Sequence, residues 1–248
     1  MHHHTTMGYR KDDLPTPIAA ELERRYPDMT PTARKYWWRG QSVAYLARMN
    51  ARTVTALRAM RGDASLLAVL PPDNRTFSLA RAASLPLPPG TVHAHVRHGD
   101  KFTEMKLMAS EVYHAAAEAL VVANPLALRR ILFVSTENVE VLRESEKALA
   151  DATSAWGKAG WAVVYSTIPR SNTGPLKQLQ DIGVGRAAYT TRTHLLQLLM
   201  SLEADAWVGT RGSNWCRLYD ELRCIWVHKC AQTYVEVGTD VSWKDYEW

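Results

Sequence analysis

From residue 91 onward, short apolar runs alternate with longer segments in which apolar residues recur every three or four positions. The runs predict five strands, TVHAHV (91–96), RILFVST (130–136), WAVVYS (161–166), AWVGT (206–210) and CIWVHK (224–229). Helical patterns of roughly 10 to 15 residues separate them, which indicates right-handed crossovers and a parallel sheet. Runs that are apolar almost throughout are typical of strands covered by helices on both faces. The pattern therefore predicts an α/β, Rossmann-like domain.

The segments between these runs predict four helices, ASEVYHAAAEALVVA (109–123), NVEVLRESEKALADA (138–152), RTHLLQLLMSLE (192–203) and SNWCRLYDELR (213–223). A stretch with glycine and proline, residues 167–188, is predicted to be a long loop.

The first 62 residues show helical spacing without strand-like runs. Three helices are predicted, PIAAELERRY (17–26), PTARKYWWRGQSVAYLARM (31–49) and ARTVTALRAMR (51–61). Asn50 is the expected N-cap of the third helix. We therefore expect a helical segment over 1–70, a proline-rich linker over 71–90 and the Rossmann-like domain over 91–248.

Charge and composition narrow the class of partner. The net charge is +5 and no block of consecutive Lys or Arg occurs, so a nucleic-acid partner is not expected, whereas an anionic small molecule is. No apolar run is long enough for a membrane span. Cys216, Cys224 and Cys230 form no CxxC pair, and no metal site is expected. Cys224 and Cys230 are either half-buried thiols or, in an oxidising compartment, a disulfide.

Polar side chains follow three of the predicted strands. Ligands of open parallel sheets bind beyond the carboxyl ends of the strands, so these segments are expected to converge on one site. The residues at these ends are Arg97, His98, Asp100 and Lys101 for the first strand, Ser135, Thr136, Glu137 and Asn138 for the second, and Thr210, Arg211, Gly212, Ser213 and Asn214 for the fourth.

The segment GTRGSN (209–214) has the features of an anion site. Gly209 and Gly212 let the backbone bend closely around a ligand, and Ser213 precedes a helix whose free N–H groups favour an anion. The alternative is that Ser213 is only an N-cap. Arg97 offers a bidentate fork for phosphate, and its alternative is a structural salt bridge. His95 either contacts the ligand or packs in the core.

Four motifs resemble those of the α1,6-fucosyltransferases of glycosyltransferase family 23. HVRHGDKFTE (95–104) resembles the signature HVRxTDKxxxE of that family. Three further segments resemble family motifs in the expected order. YWWRGQSVAYLARMN (36–50) resembles the WW-x-x-Q helix, and LFVSTENVEVL (132–142) resembles the strand followed by TDDP. ADAWVGTRGSNWCRLYDEL (204–222) resembles the segment AD-x-x-VxT-x-x-S-x-x-CR.

The resemblance implies the C-terminal half of a GT-B-like fold that binds GDP-fucose and transfers fucose with inversion, without a metal or cofactor, to a glycan or glycoprotein. A partner chain would then supply the acceptor domain, and the compartment would be the Golgi lumen or secretory pathway. The implied roles are Arg97 on the diphosphate, Lys101 at the leaving group and Glu104 as base. The resemblance places Ser213 and Asn214 against the phosphates of the donor. Near the nucleoside it places Glu137, Asn138 and Gln197. The same donor site would also include His95, His98, Asp100, Thr210 and Gly212.

Three positions depart from the family pattern. His98 replaces a second Arg, the gap from Lys101 to Glu104 is one residue shorter, and Gln197 stands where the family has an Asp that faces guanine. Most of the family's N-terminal half has no counterpart in this chain. Two alternatives therefore stay open. The first is a nucleotide-binding pseudoenzyme that acts as a structural or assembly subunit. The second is an enzyme whose sugar-nucleotide donor carries a nucleobase other than guanine.

Overall fold

A computed structural model describes five ranges and one single residue of the chain: 14–71, 86–98, 107–168, 170, 183–210 and 212–238. Within them the helices are α1 Thr16–Arg25, α2 Pro31–Leu46, α3 Ala51–Gly62, α4 Ser110–Ala123, α5 Val139–Ala150, α6 Ala155–Ala159, α7 Gly183–Glu203 and α8 Asn214–Ile225. The strands are β1 Leu67–Leu70, β2 Val92–Val96, β3 Ile131–Thr136, β4 Ala162–Ser166, β5 Ala206–Gly209 and β6 Tyr234–Glu236.

The six strands form one sheet in the order β1-β4-β3-β2-β5-β6. Strands β2 to β6 run parallel, and β1 pairs antiparallel with β4 at one edge. The chain builds outward from β2 through β3 to β4, and then returns to the other side of β2 for β5 and β6. The predicted parallel α/β sheet is confirmed, and its order reverses between β2 and β5.

Helices cover both faces of the sheet, as the apolar strands predicted. On one face, Val92, Ala94 and Val96 pack in a core with residues of α4 and α5 such as Tyr113 and Val141. The other face is covered by α3 and α7, while α2 packs against α8. Because side chains alternate along a strand, His93 and His95 point to this second face.

The cap predicted for α3 is present, and α2 has a cap that was not predicted. The side chain of Asn50 accepts a hydrogen bond from the backbone N–H of Thr53 at 2.9 Å, and that of Thr30 accepts one from Ala33 at 3.1 Å. Each bond satisfies a backbone donor that the first turn of a helix leaves without a partner. Capping residues in the sequence therefore fixed where α2 and α3 begin.

The prediction of a last strand over residues 224–229 is wrong. Helix α8 continues to Ile225, a turn follows, and the last strand is β6. The guanidinium of Arg223 donates to the backbone oxygens of Lys229, Cys230 and Gln232, which holds this segment as a closed loop against the helix end. A disulfide joins Cys224 to Cys230 across the same loop.

Two further elements differ from the sequence prediction. Helix α7 begins at Gly183, inside the stretch predicted as a loop, and β1 was not predicted. Strand β1 is only four residues long, too short for a periodic pattern to stand out. It joins the sheet through register pairs from Leu67 with Ser166 to Leu70 with Val163, which are contacts between distant parts of the chain.

Gly90, which leads into β2, is expected to resist substitution. Its φ is +87°, and a Cβ atom there would lie 3.0 Å from the oxygen of Ala127 and 3.1 Å from the nitrogen of Arg129. We expect Gly90→Ala to lower the free energy of unfolding by about 1 to 3 kcal/mol in urea titrations. Gly62→Ala is the control, because, beyond its chain neighbours and the nearby backbone of its own helix, no described heavy atom lies within 4 Å of the added carbon. Equal stabilities of the two variants would contradict this strain.

Candidate functional site

The strand order reverses between β2 and β5, and the region beyond the carboxyl ends of these two strands is called the crevice below. Connections leave these two strands toward opposite sides of the sheet, and open α/β sheets bind their ligands at such a point. Arg97 and His98 directly follow β2, and Thr210 directly follows β5, with Gly212 two residues further on. The structure thus brings together two of the three polar strand ends predicted from the sequence, and β3 lies beside β2 with the third.

Arg97 is held by a carboxylate of the neighbouring strand end. Its Nη1 lies 2.6 Å from Oε1 of Glu137, and the two side chains are only 14% and 17% exposed. The same oxygen accepts the backbone N–H of His98 at 2.8 Å. Glu137 therefore ties the ends of β2 and β3 together and orients the guanidinium. The salt bridge that was the structural alternative for Arg97 is present.

Two hydrogen bonds to Thr210 hold the turn between β5 and α8. The backbone N–H of Ser213 donates to the carbonyl oxygen of Thr210 at 2.9 Å, and that of Gly212 donates to the Thr210 hydroxyl at 3.3 Å. Ser213 stands at the N-cap position of α8, is buried, and makes no capping hydrogen bond with its side chain. Helix α8 therefore begins at this edge of the sheet, where its dipole and amino-terminal N–H groups favour an anion.

A polar cluster lies beneath this edge, enclosed between β2, β3 and α8. The hydroxyl of Ser135 lies 2.9 Å from Nε2 of His93, 2.8 Å from Nδ1 of His95 and 3.3 Å from the hydroxyl of Tyr219. The register of β2 and β3, which pairs His95 with Ser135, creates these contacts. The Nε2 atom of His95 is buried and has no hydrogen-bond partner among the residues that the structure describes.

Both imidazoles of this cluster are neutral over the physiological range. Burial lowers the pKa of His95 to about 3, with further lowering by the nearby Arg97 and His194. Burial also lowers the pKa of His93 well below its ordinary value, and the neighbouring His95 acts in the same direction. These side chains can donate or accept a hydrogen bond at the site, but they do not add a positive charge to it.

Two residues of α7 lie on the same face. His194 contacts Trp215 of α8 edge to face, with ring centroids 6.3 Å apart, and burial lowers its pKa. Gln197, predicted to lie near the nucleobase, is buried one turn further along α7. Asn138, predicted near the nucleoside, caps α5, because its side chain accepts the backbone N–H of Glu140 at 3.0 Å.

Of the predicted residues, Arg97, His98, Thr210, Gly212 and Ser213 lie at the ends of the adjacent strands β2 and β5, and Glu137 contacts Arg97. The predicted residues that lie outside the described ranges are Asp100, Lys101, Glu104 and Arg211. Sequence reasoning did not select Tyr219 or His194 as site residues, and it named Ser135 only as one of the polar strand-end residues. Tyr219 lies one turn beyond Trp215 on the inner face of α8, so helical periodicity was the only signal that pointed to it.

A separate cavity of about 460 Å³ lies between α3 and α7 and shares no residue with the crevice. Its wall is mainly apolar and includes Leu57, Leu196 and Trp226, with an ion pair of 3.1 Å between Arg61 and Glu203 at its edge.

Over the described part of the chain, no group of three or more His, Cys, Asp or Glu side chains is arranged to hold a metal ion. Nor does any helix in those ranges have the length and apolar character to span a membrane.

Comparisons with known proteins found no matching family. No protein-family model matches the chain, and no curated protein matches it significantly. The resemblance to fucosyltransferases therefore stays a prediction from the four sequence motifs.

Proposed function

We propose that the chain binds the diphosphate of a sugar nucleotide, GDP-fucose, in the crevice between β2 and β5. In this proposal it is a metal-independent, inverting fucosyltransferase whose Rossmann-like domain corresponds to the C-terminal half of a GT-B fold. One observation carries the proposal: Arg97 and the amino terminus of α8 follow two adjacent parallel strands at the point where strand order reverses.

The chemistry of transfer needs positive charge at this place. Breaking the bond between the sugar and the phosphate leaves negative charge on the departing diphosphate. Oriented donors that meet this charge are worth roughly 3 to 4 kcal/mol each in the transition state. In the proposal, Arg97, the first N–H groups of α8 and Lys101 supply this stabilisation, and Ser213 and Asn214 lie against the phosphates.

The acceptor hydroxyl must lose a proton as it attacks. A carboxylate placed within hydrogen-bond reach contributes typically 10²- to 10⁴-fold to such a step. The proposal assigns this role to Glu104, by its position in the fucosyltransferase-like motif. Attack from the face opposite the diphosphate forms the new bond to the sugar carbon and inverts its configuration. The products are the fucosylated glycan or glycoprotein and GDP.

One observation favours a second function, a nucleotide-binding subunit without transferase activity. Arg97 already pairs with Glu137, which offsets part of the positive charge that a leaving group requires. A ligand in its ground state still binds to an oriented guanidinium and a helix terminus. In this case the chain binds GDP and serves as an assembly subunit.

The decisive experiment is thermal unfolding of the whole chain with GDP, UDP and ADP. We expect GDP to raise the melting temperature, since a ligand at 100 times its Kd adds about 2.7 kcal/mol of stability. Arg97→Ala should abolish the shift. Arg97→Lys should weaken it, because the charge opposite Glu137 remains but the planar fork is lost. The proposal fails if no nucleotide stabilises the chain or if Arg97→Ala keeps the full shift.

Arg130→Ala is the matched control. Arg130 forms an ion pair of 2.7 Å with Glu118, but it precedes β3 and therefore lies toward the amino ends of the strands. This variant should keep the whole rise in melting temperature with GDP.

A larger rise with UDP or ADP than with GDP would mean that the donor is a sugar nucleotide other than GDP-fucose. Transfer or hydrolysis of GDP-fucose supports the enzyme, and binding without either supports the subunit.

A further inference from the structure

The cavity between α3 and α7 combines a mainly apolar wall with two arginines. We propose that it binds a small amphipathic anion, a single alkyl chain that ends in a carboxylate. The inference does not depend on the proposed nucleotide site, because the cavity shares no residue with the crevice.

The apolar part of the wall comes from three separate segments of the chain. Leu57 of α3 and Leu196 of α7 are each 1% exposed and belong to one core cluster. Val54, Leu199 and Trp226 also line the cavity and are only half-buried, so the cavity is open to small molecules from the surface. Its volume of about 460 Å³ is within the range of small-molecule sites, roughly 300 to 1,000 Å³. An alkyl chain suits this wall, because burial of its surface is favourable.

The charged groups of the wall gather near the carboxyl ends of the two helices. Glu203 is the last residue of α7 and forms the ion pair with Arg61, and Arg58 precedes Arg61 by one turn of α3. Val54 and Leu196 lie at least one turn before these charged residues on their helices. The cavity therefore has an apolar part and a charged end, which is the arrangement that an amphipathic ligand requires.

The charges at this end favour an anion. Among the described residues that line the cavity, two are cations, Arg58 and Arg61, and one is an anion, Glu203. Oε2 of Glu203 already accepts hydrogen bonds from Arg61 at 3.1 Å and from the backbone N–H of Leu87 at 2.7 Å. The backbone oxygen of Glu203 accepts one from Lys229 at 2.8 Å. Arg58 is exposed at the cavity, and its planar fork matches a carboxylate.

Calorimetric titration of the whole chain with decanoate, 1-decanol and decylamine tests this specificity. We expect decanoate to bind one molecule per chain, and to bind about tenfold more tightly than the alcohol, because a hydrogen bond to a charged group is stronger than one to a neutral group. Decylamine should bind most weakly. From octanoate to decanoate, each added methylene should tighten binding about fourfold. No saturable binding of decanoate, or equal affinities for the three head groups, would overturn the inference. A chain that binds decanoate but no nucleotide would support it and remove only the proposed function.

Substitutions at Arg58 test the charged end. Arg58→Glu should weaken decanoate binding about tenfold or more and leave 1-decanol binding unchanged, whereas Arg58→Lys should keep most of the affinity. Arg52→Glu is the matched control, because Arg52 is an exposed arginine of the same helix that does not line the cavity. This control should bind decanoate as the unaltered chain does. Full decanoate affinity in Arg58→Glu would rule out the assigned head-group contact.

A substitution in the apolar wall tests where the alkyl chain lies. Leu199→Trp should fill part of the cavity and abolish binding of both decanoate and 1-decanol, with circular dichroism and the melting temperature as checks of folding. Unchanged binding in the folded variant would place the ligand elsewhere and contradict the inference. Sedimentation of the free chain covers another occupant: a dimer that Leu199→Trp dissociates would show that a second copy covers the cavity, and would also overturn it.

Discussion

Acidification from pH 7 to pH 5 is expected to lower the free energy of unfolding by about 4 kcal/mol through His95 and His114 alone. Burial lowers the pKa of His95 to about 3 and that of His114 to about 4, from ordinary values of 6.5. The unfolded chain therefore takes up these protons first. The loss begins near pH 6.5 and grows, at about 1.4 kcal/mol per pH unit and histidine, until the folded-state pKa is reached. His93 adds to the loss in the same direction.

Urea unfolding at a series of pH values measures this loss, and one buried histidine can be removed at a time. His114 stacks on Trp156 at a centroid distance of 4.0 Å and contacts Ser145. His114→Asn should lower stability at pH 7 but make the dependence on pH shallower by about one proton. His228→Asn is the control, because His228 is exposed and asparagine tolerates its φ of 55°. A stability that stays constant between pH 7 and pH 5 would contradict the buried, neutral state of these rings.

Arg223→Leu is expected to destabilise the protein by about 3 to 5 kcal/mol. Arg223 is 6% exposed, and its Nη2 lies 2.7 Å from Oδ1 of Asp220. Its Nη1 bonds three backbone oxygens between residues 229 and 232, and the guanidinium lies 5.0 Å from the ring centroid of Trp207. Leucine supplies none of these hydrogen bonds and takes away the cation beside the buried carboxylate of Asp220.

Denaturant titrations of two further variants separate the causes of this loss. Arg143→Leu removes an exposed arginine that pairs with Glu140 within one helix, and should change stability by no more than about 1 kcal/mol. Adding Asp220→Asn to Arg223→Leu should recover part of the loss, because it neutralises the carboxylate left behind. If Arg223→Leu were no more harmful than Arg143→Leu, the loop after α8 would not depend on this guanidinium.

The elements that could be predicted from sequence are those fixed by local pattern. The apolar runs predicted β2 to β5, and Asn50 predicted the start of α3, because side-chain alternation and capping act within a few residues. The run 224–229 has the β-branched and aromatic residues of a strand, yet it continues α8 and then turns. What overrides its propensity is the set of hydrogen bonds from Arg223, which no local pattern reveals.

For the candidate site, too, the sequence predicted what local pattern determines and missed what depends on contacts between distant residues. The rule that ligands bind beyond the carboxyl ends of parallel strands predicted which segments meet. It did not predict that Glu137 pairs with Arg97, since that contact joins residues on two strands whose order the sequence leaves open. Ser135 was visible as a polar strand end, but its contacts with both histidines depend on the register between β2 and β3.

The antiparallel edge strand β1 has a practical consequence for anyone who wishes to shorten the chain. Four register pairs, from Leu67 with Ser166 to Leu70 with Val163, use the outer side of β4. A fragment that starts at residue 91 would leave that side with bare amide and carbonyl groups, which readily recruit a strand from another molecule. Such a fragment is expected to self-associate unless the missing strand is added back as a peptide.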